Sequence, residues 1–380
     1  MEERKQSLNN NNEIGNIIID YSGNNESVNA TAIKLADGKP YILAYISVLG
    51  RQPRLIIQDL NGKTVKKLTD FDGHSNVLYY GHGEFTVDND NIYIFTSGTA
   101  RPMFYIIDKN SLIIKNWKPL GPSCIQSVCC NDNGIATFDM NKGEIQFRDK
   151  KGNITSTTSV RGKRGIQHTF VYPTSEGFQH VGIFDLEIDK KYIKECEDKF
   201  GREIMRMNED PYISGFAYDD STQTSFIAKR NIIYVINKSG IQGIMYFKDK
   251  SIIGLTISPD TNSLIISSDN WPESQKNRDY NLGGSVEVLP LSMVPERIKS
   301  SKNFLMRRNL SKYLYGIVDE IIDIVDGDID KVFSLLQGLK NNVIKQQQEI
   351  EDKDSSGLEG NKVYIKKGKI NRSWKKCKGE

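Results

Sequence analysis

A short β-hairpin motif recurs along the first three quarters of the chain. In its first copy, LIIQDLNGKTVKKLT, an apolar strand leads into Asp59, the turn closes at Gly62, and a more polar strand follows. Asp and Asn side chains bond to the turn backbone and glycine takes a positive φ without steric cost, so this pattern predicts a tight hairpin. Three later copies have Asp108, Asp149 and Asn237 in the same place. The gaps between these four positions are 49, 41 and 88 residues, which indicates a regular repeat with a degenerate copy inside the last gap.

Two further strands precede each hairpin. An apolar strand, an Asp/Asn/Gly turn and a second apolar strand occur in residues 28–48, 84–96, 125–138, 212–229 and 252–269. Four short strands per unit, without helices between them, favour antiparallel sheets over βαβ units. A period of roughly 40–50 residues is typical of a four-stranded propeller blade. The sequence therefore predicts an all-β fold, a β-propeller.

The number of blades follows from where these units begin, which is near residues 28, 77, 122, 166, 212 and 251. This pattern predicts six blades, or seven if Ser75 to Gly83 contains further strands. In the fourth unit KKYIKECEDKFGREIM is charged and helical in character, and we interpret it as an insertion or a distorted blade. The sixth unit lacks a fourth strand. We predict that the N-terminal GNIIIDYS pairs there and closes the ring, which removes an open sheet edge.

Two stretches carry a family resemblance. LIIQDLNGKTVKKLT resembles the TolB-type, WD40-like propeller repeat, in which an apolar strand, an Asp, a glycine turn and a closing Leu-Thr recur. ISPDTNSLIISSD is similar to the Ser-Pro-Asp start of the next repeat in that family. The chain departs from the pattern because it has no Trp-Asp dipeptide and only one Ser-Pro-Asp element, at Ser258 to Asp260. The resemblance implies a propeller and no particular activity, since this architecture hosts unrelated functions.

The 380 residues are enough for one propeller and a smaller C-terminal segment. We predict a disordered polar N-terminus over 1–14, the propeller over 15–295, an amphipathic helical segment over 296–348, and a linker with a basic tail over 349–380. No run of about 18 apolar residues occurs, which predicts no transmembrane helix. The start, MEERKQSLNNNNEIGN, lacks the apolar centre of a secretory signal. We expect an intracellular, cytoplasmic protein, with a nuclear location as the alternative.

The cysteines and histidines give little indication of a metal or catalytic site. The odd number of cysteines predicts reduced thiols; they are Cys124, Cys129, Cys130, Cys196 and Cys377. The first three lie on a predicted strand and are interpreted as small buried hydrophobic residues, with neighbouring thiols on opposite faces. We place the four histidines, at 74, 82, 168 and 180, in turns or on the surface. Phosphate-binding and Gly-x-Ser-x-Gly motifs are absent from the sequence, so we predict no cofactor and no metal.

Carboxylates at the predicted turns keep one enzymatic alternative open. Five of them lie between the first and second strands of blades: Asp88, Asp90, Asp219, Asp220 and Asp260. Such residues shape turns by bonding to their own backbone. The alternative is a ligand or metal site at one mouth of the central channel. We favour the structural interpretation and therefore a protein that is not an enzyme.

After Pro295 the strand repeats end and the apolar residues take up a helical spacing. Between Phe304 and Val325 apolar residues step by 4, 3, 4 and 3, close to the helical period; they are Leu310, Leu314, Ile317, Ile321 and Ile324. A second helix is predicted from about Ile329 to Gln348, with the apolar residues Val332, Leu335, Leu336, Leu339 and Val343. We predict a helical hairpin that packs on its own propeller, pairs with a second copy in the manner of a coiled coil, or binds a protein partner.

The end of the chain is basic. Between 362 and 378 there are eight Lys or Arg residues against Glu380 alone, or +7, in a chain whose total is +3. Trp374 lies among Lys366, Lys367, Lys369, Arg372, Lys375 and Lys376. Basic tails with aromatic residues bind nucleic acid or acidic surfaces through counterion release and stacking. The alternative is a solvated tail or a nuclear import signal.

These features favour a non-enzymatic scaffold. The propeller would present a rigid face to a protein partner in an intracellular assembly, and the C-terminal helices would tether it there. The first alternative is a small-molecule- or metal-dependent enzyme or binder with its site at the channel mouth. The second is a nucleic-acid-associated protein that uses the basic tail.

Overall fold

A ring of antiparallel sheets forms the body of the protein. The computed structural model describes residues 17–21, 26–48, 53–69, 71, 83–96, 102–160, 168–183, 186, 188, 190–201, 213–248, 250–270 and 284–324, with 334, 337, 338 and 341. Five four-stranded blades and one two-stranded unit lie side by side. The first strands of successive units contact one another around the ring axis. The fold is an all-β propeller, as predicted.

Each blade is built from strands that are adjacent in the sheet. Blade I consists of β2 (Glu26–Lys34), β3 (Pro40–Val48), β4 (Arg54–Gln58) and β5 (Thr64–Leu68). Blade II consists of β6 (Gly83–Val87), β7 (Asn91–Thr96), β8 (Met103–Asp108) and β9 (Ile114–Pro119). Blade III consists of β10 (Ile125–Asn131), β11 (Gly134–Asp139), β12 (Glu144–Arg148) and β13 (Ile154–Ser159).

The second half of the ring begins with the two-stranded unit. This unit consists of β14 (Thr169–Thr174) and β15 (Gly177–Gly182). Blade IV consists of β16 (Gly215–Asp219), β17 (Thr224–Lys229), β18 (Ile232–Asn237) and β19 (Gly240–Tyr246). Blade V consists of β20 (Lys250–Ser258), β21 (Ser263–Asn270), β22 (Gly284–Pro290) and, from the other end of the chain, β1 (Ile17–Tyr21).

The ring is closed by the N-terminal strand, as predicted. β1 pairs antiparallel with β22, and Ile17 lies opposite Val288 and Ile19 opposite Val286. Ile19 is buried in the cluster that joins blade V to blade I. Because β1 is the outer strand of the last blade, the two ends of the propeller are held in one sheet, and β22 has no open edge.

The predicted number of six or seven blades differs from the structure, because the described residues form five four-stranded blades and one two-stranded unit. In the unit expected near residue 166 the described residues form two strands, β14 and β15. Its chain continues into helix α1 (Lys190–Phe200), inside the stretch interpreted as an insertion or distorted blade. Cys196 and Phe200 are four residues apart, share one helix face and are buried. The extra strands considered between 75 and 83 fall almost entirely outside the described residues.

The middle strands of the blades fill the spaces between neighbouring sheets. In β7, for example, every residue after Asn91 is buried. Ile92 and Ile94 pack toward blade I, whereas Tyr93 and Phe95 pack toward blade III. Successive side chains of a strand point to opposite faces, so one apolar strand serves two interfaces. This is why the second and third strands of the repeats read as continuous apolar runs.

After blade V a 3-10 turn, Leu291–Met293, leads into α2 (Val294–Ile324), one continuous helix of 31 residues. It begins ten residues before the apolar stretch at Phe304 that predicted it. Pro295 lies in its first turn, where the missing N–H has no helical acceptor to lose. Neither described helix is both long and apolar enough to cross a membrane.

The predicted helical hairpin is not confirmed. Of its second helix the structure describes only residues 334, 337, 338 and 341, which are helical and exposed. The first half of α2 packs on its own propeller. Ile298 joins the core between blades IV and V, and Leu305 is fully buried against blade IV and α1. α1 and α2 together cover the side of blade IV that a complete neighbouring blade would cover.

Candidate functional site

The repeated Asp and Asn residues lie on one side of the ring, where the first and third turns of the blades are found. We call this side the turn face. Asp59 Oδ1 accepts the backbone N–H of Asn61 at 2.9 Å. Asp108, Asp149 and Asn237 accept backbone N–H groups of their own turns in the same way. The residues that define the repeat therefore shape turns.

Asp88, one of the predicted channel-mouth carboxylates, joins blade II to blade III. Its Oδ2 accepts hydrogen bonds from Lys150 Nζ at 2.8 Å and from the Tyr93 hydroxyl at 2.7 Å. Its Oδ1 accepts the N–H of Asn91 at 2.8 Å. Partial burial disfavours the charge, but these hydrogen bonds outweigh it and hold the pKa of Asp88 at about 2. Both carboxylate oxygens are engaged within the protein.

Asp260 and Asp220 make comparable connections between units. Asp260 Oδ2 accepts the backbone N–H of Lys34 in blade I at 2.9 Å, and the buried ammonium of Lys109 in blade II lies 3.6 Å away. Asp220 Oδ2 accepts the N–H of Ser175 in the two-stranded unit at 2.8 Å. Within the described ranges, no three His, Cys, Asp or Glu side chains are grouped as metal ligands. Asp88, Asp220 and Asp260 thus connect neighbouring units on the turn face by hydrogen bonds.

We expect Asp88→Ala to lower the unfolding free energy by about 1–2 kcal/mol, because it removes a partly buried ion pair and leaves the Tyr93 hydroxyl without its acceptor. Denaturant titration measures the loss. Asp90→Ala is the matched control, since Asp90 is an exposed residue of the same turn, and its effect should stay within about 0.5 kcal/mol. Equal losses of unfolding free energy for the two variants would contradict a stabilising connection between blades II and III through Asp88.

The innermost strand of blade II carries a carboxyl group that no sequence motif marked. Glu84 lies on β6, the first strand of blade II, and the Asn29 amide of β2 donates a hydrogen bond to it. Asn29 Oδ1 in turn lies 3.7 Å from the position that a β-carbon on Gly254 of β20 would occupy. Three first strands therefore meet at this point. Loss of hydration raises the pKa of Glu84 to about 8, so its carboxyl is mainly neutral at pH 7.

His168 lies further around the same inner ring, at the start of β14. Its ring is 4.6 Å from that of Phe170 and also stacks on Phe138. Nε2 lies 3.3 Å from the carbonyl oxygen of Gln126. Burial lowers the pKa of His168 and favours the neutral ring. His168 is thus half-buried just before β14, whereas His180 is exposed and residues 74 and 82 lie outside the described residues.

The described cysteines are free thiols. Cys129 is buried against blade III and β14. The neighbouring Cys130 lies on the other face of β10, where its Sγ is 3.2 Å from the carbonyl oxygen of Val87. Burial raises the pKa of both thiols, which disfavours the reactive thiolate. Cys129 is the buried small residue that was predicted, whereas Cys130 is half-buried on the opposite face of the strand.

The first half of α2 covers the outer edge of blade IV. The Tyr246 N–H of β19 points out of the sheet and donates to Ser301 Oγ at 3.0 Å. The Arg308 guanidinium donates to the Tyr246 hydroxyl at 3.0 Å, and the ring of Phe304 stacks on that of Tyr246 at 5.8 Å. Asn309 Nδ2 donates to the carbonyl oxygen of Lys199, the next-to-last residue of α1, at 3.2 Å. These contacts fix the helix on its own propeller.

Close approach of α2 to β19 depends on Gly243, which has φ 155°. A β-carbon there would collide with Cγ2 of Ile298. We expect Gly243→Ala to lower the unfolding free energy by about 2 kcal/mol. Gly177→Ala is the matched control, because Gly177 has φ 128° and no atom within 4 Å of the added carbon. If both variants lose the same stability, the backbone conformation and not the helix contact is responsible.

The structure places only part of the predicted partner-binding residues. Leu310, Leu314, Ile317, Ile321 and Ile324 lie on the helical backbone of α2. The rest of the predicted helix face, Val332, Leu335 and Leu339, lies outside the described residues. The same holds for the basic tail, with Lys366, Lys367, Lys369, Arg372, Trp374, Lys375 and Lys376.

Comparison with solved structures returns chains that include WD40 repeats and a β-propeller domain. The WD40 repeats of RRP9 share 8% identity over 72% of this chain and 97% of that chain, with a TM-score of 0.46. The β-propeller domain of Cps50 (Swd1) from Myceliophteria thermophila shares 8% over 72% and 98%, with a TM-score of 0.39. The glutaminyl cyclase of Myxococcus xanthus shares 10% over 73% and 99%, with a TM-score of 0.36.

These likenesses concern the fold alone, because the identities are 10% or lower and the TM-scores are below 0.5. No protein-family model matches the sequence, and no curated protein matches it. The TolB-type part of the resemblance stays a prediction.

Proposed function

We propose that the protein is a non-enzymatic scaffold that binds a protein partner through the second half of α2. The proposal depends on one observation, that α2 is a single helix fixed on blade IV up to Asn309 and continued to Ile324. Beyond Asn309, apolar residues recur at steps of 4, 3, 4 and 3 and therefore share one face of the helical backbone; they are Leu310, Leu314, Ile317, Ile321 and Ile324.

The length of this segment suits a helix-mediated interface. Residues 310–324 form 15 positions of α2, which at about 1.5 Å per residue extend ~22 Å beyond the anchor. About four helical turns with an apolar stripe are enough to lie in a groove or pair with another helix. Because Ser301 and Leu305 fix the preceding turns on the propeller, a partner bound to this face would be held in a defined orientation.

The test is affinity capture with the full chain from extracts of its own cells. The variant Leu314→Glu with Ile321→Glu should lose a defined partner that the wild type retains. Lys312→Glu with Asp319→Lys is the matched control, because these residues lie about half a turn away on the same helix. Thermal unfolding verifies that both variants keep the propeller intact. Retention by the first variant, or no partner for the wild type, would contradict the proposal.

A small-molecule binder with its site in the channel is the second candidate, and Glu84 favours it. A neutral carboxyl held by Asn29 both donates and accepts hydrogen bonds, and strongly shifted pKa values occur often at functional sites. Thermal-shift measurements with amines, sugars and divalent cations, on the wild type and on Glu84→Gln, test this alternative. A compound that stabilises only the wild type supports it, and equal responses of the two proteins contradict it.

Association with nucleic acid through the basic tail stays a prediction. Its test is salt-dependent binding of RNA or DNA by the full chain and by a chain cut after Gly360. Loss of binding on cutting would support the role of the tail, because counterion release requires its Lys and Arg residues. Binding that survives the cut would exclude that role.

A further inference from the structure

The outer strand of each blade has an edge on which backbone N–H and C=O groups point away from the sheet. Such an edge pairs with other strands unless it carries charges or proline or is covered. Four of the five described outer strands are protected in one of these ways. β5 carries Lys66 and Lys67, β9 carries Lys115, Lys118 and Pro119, β1 carries Asp20, and β19 is covered by α2.

In the part of the chain that the structure describes, β13, the outer strand of blade III, has none of these protections. Its sequence, ITSTTS, contains no charged residue and no proline, and all six side chains are exposed. Among the described residues the next unit contributes the two strands β14 and β15, so no described strand of that unit lies beside β13. β-branched Ile and Thr hold this strand in the extended conformation that pairing needs.

The pairing of β13 with β12 shows which of its backbone groups face outward. The Val160 N–H donates to the carbonyl oxygen of Gly143 at 3.0 Å, so these two residues form a hydrogen-bonded pair. Such pairs alternate along an antiparallel ladder. Thr157 and Ser159 therefore direct their N–H and C=O groups away from β12. The Tyr246 N–H of β19 points out of its sheet in the same way, and there Ser301 accepts it.

The ends of the β13 edge are positively charged. The hairpin from 140 to 160 contains four basic and two acidic residues, or +2. Lys151 is exposed at the turn before β13. At the other end Lys142 keeps 41% of its side chain exposed beside Asp139. Six strand residues span about 17–20 Å, so a short extended segment with acidic ends would match both lysines.

We propose that β13 binds an extended segment of a partner protein as a fifth strand of blade III, and that this segment has an uncharged centre and acidic ends. Backbone hydrogen bonds to Thr157 and Ser159 supply the pairing, and Lys142 and Lys151 select the acidic ends. The inference shares with the proposed function only the need for a protein partner. It concerns a different surface from α2, and the two can fail separately.

The probe is a blocked, fluorescently labelled peptide, Glu-Val-Thr-Val-Thr-Val-Thr-Glu, titrated onto the full chain and followed by anisotropy. Thr157→Pro removes one outward N–H without removing a bond to β12, and it should weaken binding by at least about tenfold. Thr157→Val keeps that N–H and is the matched control, with a change of about twofold at most. Lys151→Glu should weaken binding by about threefold to tenfold.

Amide hydrogen exchange on the wild type keeps the test independent of any folding defect in Thr157→Pro. The peptide should slow exchange at Thr157 and Ser159 and leave β5 unchanged. Absence of binding and protection at about 1 mM peptide, or equal binding of a peptide with lysine ends, would overturn the proposal. Protection that grows with protein concentration without the peptide would identify a second copy as the occupant and overturn it too. The variant Leu314→Glu with Ile321→Glu should bind the peptide as the wild type does. That result would show that peptide binding at β13 is independent of the partner surface proposed on α2.

Discussion

Ile19→Asp is expected to lower the unfolding free energy by about 3–5 kcal/mol and the Tm by roughly 10 °C. Ile19 is 7% exposed, lies opposite Val286 in the closing sheet, and packs with Ile56 of blade I. The substitution removes apolar burial and places a carboxylate among the apolar side chains of this cluster. Because β1 completes the sheet of blade V and is followed in the chain by blade I, weakening its pairing with β22 weakens the closure of the ring. Thermal and denaturant unfolding measure the loss.

The adjacent residue supplies the control. Ile18 is on the same strand, but its side chain points to the other face and is 54% exposed. Ile18→Asp should therefore change the unfolding free energy by no more than about 0.5 kcal/mol. It introduces the same charge into the same strand, so strand propensity and net charge are matched. Equal losses for the two variants would contradict a closing role for Ile19.

The repeat and the closure of the ring could be predicted because their signals are local. An apolar strand, an Asp and a glycine turn specify a hairpin wherever they occur, and Asp59 and Asp149 make the turn hydrogen bonds that this chemistry requires. The last unit lacked a fourth strand, and one apolar strand near Ile19 belonged to no unit. Counting the strands of each unit was enough to predict that this strand completes the last blade.

The number of blades and the start of α2 could not be predicted from short sequence motifs, because both depend on contacts between distant parts of the chain. After β15 the chain enters α1, and Cys196 and Phe200 of this helix are buried in the cluster that includes blade IV, a packing that local sequence does not reveal. The start of α2 was obscured by Pro295, which resembles a boundary but is tolerated in a first helical turn. Val294, Ile298 and Leu305 already have helical spacing, and the core they join exists only in the folded ring.

Glu84 could not be identified from the sequence because its character arises from the ring. In GEFTV it reads as one polar residue of a half-exposed strand. Only the closed arrangement of first strands brings Asn29 beside it and removes enough water to favour the neutral acid. The sequence did show a Glu on the first strand of a repeat unit. Such a residue becomes a candidate site residue once the repeat shows that the first strand is the innermost strand of its blade.

The raised pKa of Glu84 makes the unfolding free energy depend on pH. The ordinary pKa of 4.5 applies to Glu84 in the unfolded chain, and the folded value is about 8. Between these values the folded state binds the proton more tightly, so unfolding free energy falls as pH rises through the window and levels off above it. We expect a loss of roughly 2–3 kcal/mol across the window, after allowing for partial screening by channel water. Below pH 4.5 both states are protonated, so the unfolding free energy stays at its higher value and no longer changes with pH through this group.

Glu84→Gln isolates this effect because glutamine keeps the shape and the polar contact to Asn29 but cannot ionise. Denaturant titrations from about pH 5 to about pH 9 should show the variant gaining stability over the wild type as pH rises. Glu144→Gln, on β12 of the outer part of blade III, is the control and should follow the wild type. A constant difference between Glu84→Gln and the wild type would mean that Glu84 is ionised throughout and well hydrated. In that case the channel would contain an ordinary solvated carboxylate, and the second candidate function would lose the observation that favours it.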